Sequence, residues 1–122
     1  MSVSGASHRI QSELWHWAGI TSGPHRFGGV EFKLGTREIG HVHGDSLVDV
    51  PLPKRIRDEL VKTGQADPHH VLPNSGWVSL FLNEPADVDR AIGVLRLSFE
   101  IAREQRERRA TQGREFADAS NR

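Results

Sequence analysis

The residues best suited to chemistry fall in two short stretches. Residues 37–45, R-E-I-G-H-V-H-G-D, set His41 and His43 two apart, with Arg37 and Asp45 at the ends. Side chains alternate along an extended chain, so Arg37, Ile39, His41 and His43 are expected on one face, joined by Asp45 if the strand runs on. Imidazoles so placed are about 7 Å apart, twice the strand rise, and both can reach one small ligand or one metal ion. Asp49 faces away from the apolar Val48, Val50 and Leu52 set and can share the histidine surface. A carboxylate beside an imidazole fixes its tautomer and raises its basicity. The second stretch is His69-His70, in a loop-like segment ahead of Trp77 that can fold back over the sheet. Arg26, in H-R-F-G-G at 25–29, can hold an anionic ligand oxygen or pair with a carboxylate.

Composition narrows the chemistry. With no cysteine among 122 residues, thiolate nucleophiles, disulfides, iron–sulfur clusters and Cys-type zinc sites are excluded. A metal site would need His41 and His43 with Asp45, Asp49 or a loop histidine. The expectation is no metal, with His41 and His43 as ligands if one binds. Ser46, Ser75 and Ser79 lack a G-x-S-x-G context, which gives a serine hydrolase no support. Sixteen Lys/Arg balance sixteen Asp/Glu, and that neutrality argues against a dedicated nucleic-acid binder. No apolar run approaches the roughly 20 residues of a membrane span, and no secretory signal is visible. The expectation is a soluble, cytoplasmic protein.

The elements that must position these residues follow from periodicity. Residues 1–7 are small and polar and read as a disordered start; 8–102 read as one domain and 103–122 as a charged helix end and tail. Ser7 can cap a short helix carrying Ile10, Leu14, Trp15 and Trp17, stopped by Gly19 and T-S-G-P. Val30, Phe32 and Leu34 alternate with Glu31 and Lys33 as a strand; a second covers 37–43 and a third follows through Leu52. Helix 54–63, the loop 65–76, a strand from Trp77 to Leu82 and a helix opening at Pro85 complete the chain. Trp77, Ser79 and Phe81 share one strand face, which could line an aromatic-friendly pocket. Beyond Ala102 the apolar stripe fails, and residues 103–114 hold five Arg against two Glu, so the helix is expected to fray. The fold class is α+β, an antiparallel sheet of about four strands in the order helix-β-β-β-helix-β-helix, with helices on one face.

From His25 to about Ala102 the segments HRFGGVEFKLG, REIGHVHGD, LVDVPLP, RIRDEL, HHVLPNSGWVSL and DVDRAIGVLRLSFE resemble the small bacterial proteins of the luciferase family. These share a domain with the luciferase of bioluminescent fungi. A fainter likeness is to the MmcQ/YjbR-type fold. The luciferase resemblance implies an oxygenase that oxidises a hydroxylated styrylpyrone with molecular oxygen, releasing carbon dioxide and light, with no cofactor. It assigns His41 and His43 to the H-x-H positions, where a histidine can deprotonate the substrate enol.

Three functions compete on these residues. One is a cofactor-free oxygenase of a small enolisable aromatic, with His41 or His43 as base and Asp49 orienting it. Arg26 or Arg37 would then clamp the anion, with Asp45, His69, His70 and Trp77 lining the substrate site. The second is a non-catalytic domain receiving a ligand or partner protein on the same face. The third is a nucleic-acid accessory module using the C-terminal arginines. The expected partners are a small aromatic molecule and oxygen, with no membrane; the oligomeric state is not legible.

Overall fold

Alternation of apolar and polar residues forms the centre of the sheet. In the computed structural model, which describes residues 2–120, Val30, Phe32 and Leu34 lie on a strand whose neighbours bury Val42, Val48, Val50, Val78 and Leu80 on the same side. The elements run α1 (Ala6–Trp15), β1 (Ile20–His25), a 3-10 turn (Arg26–Gly28), β2 (Gly29–Leu34), β3 (Arg37–His43), β4 (Leu47–Pro51), α2 (Lys54–Lys62), β5 (Asp67–Pro68), β6 (Trp77–Phe81) and α3 (Pro85–Ser120). In space the order is β1-β2-β3-β4-β6-β5, and each neighbouring pair is antiparallel. Helix α1 contributes Ile10 and Leu14 to the core, and α3 contributes Val88, Ala91, Leu95 and Phe99. The class is α+β, as the pattern predicts, but with six strands instead of about four.

The two additional strands, β1 and β5, are the edges of the sheet. Their Gly and Pro content reads locally as turn, yet proline is tolerated where a missing N–H faces outward. Thr21-Ser22-Gly23-Pro24 is therefore an edge strand, not a helix terminator.

Register changes once, and the change decides which side chains meet. Phe32 pairs with Gly40, whereas Lys33 pairs with Glu38, leaving Ile39 as an extra residue in β3. Such a bulge switches the face of everything on one side of it. Arg37 and Ile39 consequently turn away from the histidines: Ile39 is buried in the core, and Arg37 bonds Gln105 of α3. Glu38 takes the place on the histidine side. Beneath the bulge, the Ser98 hydroxyl of α3 lies 2.9 Å from the Ile39 carbonyl and 3.2 Å from that of Pro51. Gly40 allows α3 to approach; a Cβ there would lie 2.5 Å from Leu95 Cδ2 and 2.9 Å from the Asp49 carbonyl oxygen.

Both ends of the chain differ from their composition. Residues 3–7, expected to be disordered, dock on the β3–β4 turn: Val3 N–H donates to the Asp45 carbonyl, and the N–H groups of Gly5 and Ser7 donate to its carboxylate at 3.2 and 2.8 Å. Asp45 thus caps α1 from a distance and is not on the histidine face. At the other end α3 does not fray after Ala102 but continues to Ser120. Its sequence there is rich in Arg, Glu and Gln, good helix formers, and pairs such as Arg103–Glu100 span one turn. Of the expected tail, residues 121 and 122 lie outside the described residues, as does Met1 at the start.

Gly40→Ala should lower stability to urea by about 1–3 kcal/mol through overpacking. Gly93→Ala, on the exposed side of α3 with open space around it, should instead raise stability, by at most about 1 kcal/mol.

Candidate functional site

On the face opposite α1 and α3, one cross-strand row carries the polar chemistry. Glu31 pairs with His41, His41 with Asp49, and Asp49 with Ser79, so β2, β3, β4 and β6 each place one residue in line. Asp49, at the middle, has no exposed surface. Its Oδ1 accepts the Ser79 hydroxyl at 2.7 Å. Its Oδ2 lies 3.1 Å from His41 Nε2, 3.2 Å from His43 Nε2 and 3.2 Å from His70 Nε2, with His69 Nε2 at 3.5 Å. The loop after β5 supplies the last two rings, and the backbone N–H of His70 is tied to Ser79 Oγ at 3.3 Å.

The two histidines of β3 differ in charge. Burial alone would strip the proton from His41, but hydrogen bonds to Asp49 and Glu38, the latter 3.1 Å from Nδ1, outweigh it and raise its pKa to about 9. His41 is therefore an imidazolium giving one proton to each carboxylate. His43 is pushed the other way, by burial and then by the positive charge of His41, and stays uncharged. Burial would raise the Asp49 pKa, but hydrogen bonds from His41, Ser79 and His70 hold it well below the usual carboxylate range. His69 is also lowered, chiefly by burial. Its Nδ1 accepts the backbone N–H groups of Val71 and Leu72 at 3.1 and 3.0 Å, so its proton resides on Nε2.

These rings floor an open cleft of about 420 Å³. Arg26, Val71, Leu72 and Trp77 line it together with His25. The 65–76 loop does fold over the sheet, and Trp77 meets His41 with ring centroids 5.3 Å apart. Of the residues anticipated from sequence, His41, His43, Asp49, His69, His70, Trp77 and Arg26 come together. Arg37 and Asp45 do not: the bulge turns the first toward α3, and the second caps α1.

Three residues of the site carried no clear sequence signal. His25 stacks on His41 at 3.9 Å with an interplanar angle of 17°, and its Nδ1 sits 3.2 Å from Glu31 Oε1. It belongs to the edge strand that reads as a turn. Glu38 reaches the site only through the bulge. Ser79, set aside as a nucleophile, is a buried donor to Asp49; its small polar side chain between Val78 and Leu80 was the available clue. For a metal ion, two triads place their ligand atoms within 4.8 Å of one another around His43: His25–His41–His43 and His43–Asp49–His70. His25, Glu31 and Glu38 form a third.

On this face of the α+β domain four histidines surround one buried carboxylate, and a fifth, His25, stacks on His41 beside them. Residues 36–98 match the model of the Luciferase domain family, and the chain belongs to that family. The matched span contains each side chain that hydrogen-bonds to Asp49. No curated protein and no solved structure matches the chain. Among the described residues, no helix is long and apolar enough to cross a membrane.

A histidine whose pKa rises on folding adds stability that is complete below its unfolded pKa, near 6.5, and disappears as pH climbs through the folded value. For His41 that window runs from about 6.5 to about 9. The lowered His43 and His69 act oppositely, costing stability only as pH falls toward and below their ordinary values. In chelator-treated protein the urea midpoint should therefore decline from pH 7 to 9.5. His41→Gln should flatten that decline, and an unchanged slope would refute the assignment.

Proposed function

We propose that this Luciferase-family domain binds a small, planar, enolisable aromatic compound, of the hydroxylated styrylpyrone type, and oxidises it with molecular oxygen. One observation carries the reading: an imidazole held between two carboxylates, which raise its pKa, lies in the floor of a cleft walled by Val71, Leu72, Trp77 and Arg26. An enol conjugated to a carbonyl is a vinylogous acid, and a neighbouring cation favours its anion. That anion is the electron-rich form that donates electrons to oxygen; the substrate carbon is oxidised, oxygen is reduced and carbon dioxide leaves. His41 acts on the enolate through its charge from the cleft floor, both its nitrogens being held by Glu38 and Asp49, while Arg26 on the rim adds a second positive charge and Trp77 offers a stacking face. Asp49 holds the rings in place. Membership of the Luciferase domain family supports the oxygen chemistry.

The competing reading is a non-catalytic binding domain, favoured by the exposed Val71 and Leu72 on the cleft wall. Oxygen-electrode and photon-counting assays with a hydroxylated styrylpyrone separate the two. Saturable oxygen uptake, reduced about 100-fold in folded His41→Gln, is the expected outcome, a loss typical of removing a preorganised group that stabilises developing charge. Saturable binding without uptake would establish the binding domain instead.

A further inference from the structure

The rings around Asp49 outnumber the places its oxygen has for their protons. An ionised carboxylate oxygen offers about two lone-pair directions. His41, with Nδ1 3.1 Å from Glu38 Oε2 and Nε2 3.1 Å from Asp49 Oδ2, occupies one direction on Oδ2. His69 is a longer electrostatic contact at 3.5 Å. One direction is left for both His43 and His70, each with Nε2 at 3.2 Å from the same oxygen. Two protons cannot share it, and a bare ring nitrogen facing a carboxylate oxygen is repelled. A single cation satisfies both rings and the oxygen at once.

We propose that His43 Nε2, His70 Nε2 and Asp49 Oδ2 bind one divalent transition-metal ion of the zinc, cobalt(II) or iron(II) kind. Ligand atoms each about 2.1 Å from such an ion lie about 3.0–3.4 Å apart at octahedral or tetrahedral angles. Both imidazole-to-carboxylate separations, at 3.2 Å, fall inside that range. Two imidazoles and one carboxylate leave further coordination positions open. Those positions face the cleft, because the side chains of His43 and His70 are 27% and 38% exposed whereas Asp49 is sealed beneath them. The Ser79 hydroxyl on Oδ1 and His41 on Oδ2 orient the carboxylate, as outer partners of a metal ligand do. The rival triad of His25, His41 and His43 fails because His41 has already given both nitrogens to carboxylates. The inference goes beyond the proposed oxidation and departs from the cofactor-free chemistry that the family resemblance implies.

The test uses the chelator-stripped full chain, titrated with Zn²⁺ by calorimetry and with Co²⁺ by visible absorption. One ion per chain with a Kd of about 1 μM or tighter is expected. His70→Gln, a change on an exposed loop, should weaken it about 100-fold or more with circular dichroism unchanged. Asp49→Asn should do the same if it folds. His25→Gln and the surface double variant His8→Gln/His16→Gln should stay within about threefold of wild type, the scatter expected of non-ligands. Binding no tighter than about 100 μM, or binding that survives His70→Gln but not His25→Gln or the surface variant, would overturn the site. Neither readout involves substrate, so failure here and failure of the oxygen chemistry are separately visible.

Discussion

An ionised carboxylate with no exposed surface costs several kcal/mol unless its surroundings restore what water gave it. Asp49 imposes that demand at the centre of the sheet, and the architecture answers it from several directions. Strand β3 brings His41 and His43, β6 brings Ser79, and the loop after β5 brings His69 and His70. The charge on His41 is itself shared, since Glu38 binds its other nitrogen. Strand order, register and bulge are thus linked through one oxygen pair: altering any of them strands a charge.

The two faces of the sheet divide the work. On the helix side, a Cβ at Gly40 would crowd Leu95 and the Asp49 carbonyl, and Ser98 spans the carbonyls of two strands. That rigidity passes directly to the opposite face, because the strands that hold Leu95 and Phe99 of α3 also aim His41 and Asp49. Groups fixed on strands hold their geometry better than groups on loops. The fixed set here is His41, His43, Asp49 and Ser79, while His69, His70 and Leu72 come from the loop and are the adjustable part.

What could be read from sequence follows a physical line. Period-2 alternation marked β2 and β4, turn signals bounded β3 and an apolar run marked β6; the alternation also set Asp49 off from Val48 and Val50 because burial patterns are local. The H-x-H spacing and the His69-His70 pair were visible as residue types, and the resemblance to the luciferase family pointed to the same stretch. Long-range pairing was not visible. The bulge at Ile39 has no local signature, since an extra residue is defined only against a partner strand; hence Glu38 was missed and Arg37 misplaced. The strands β1 and β5 are edges whose Gly and Pro read as turns, which concealed His25. Asp45 sits next to the histidines in the chain but answers to the N–H groups of a helix forty residues away in sequence.

The roof over the site is fastened at few points. A two-residue strand, the Leu52 N–H to Gly76 carbonyl bond, the contact from Arg57 to the Pro73 carbonyl, the His70 N–H to Ser79 bond and the His69 and His70 rings on Asp49 hold the segment between α2 and β6. Few buried contacts and exposed backbone mark a unit that opens locally at a cost below that of global unfolding. The Asp49 cluster is thus assembled from two parts of unequal anchoring: two of its rings ride on the sheet and two on the loop. Displacing this short segment would strip two donors from Asp49 and leave His41, His43 and Ser79 in place, so the carboxylate would keep a partial shell held by the sheet alone.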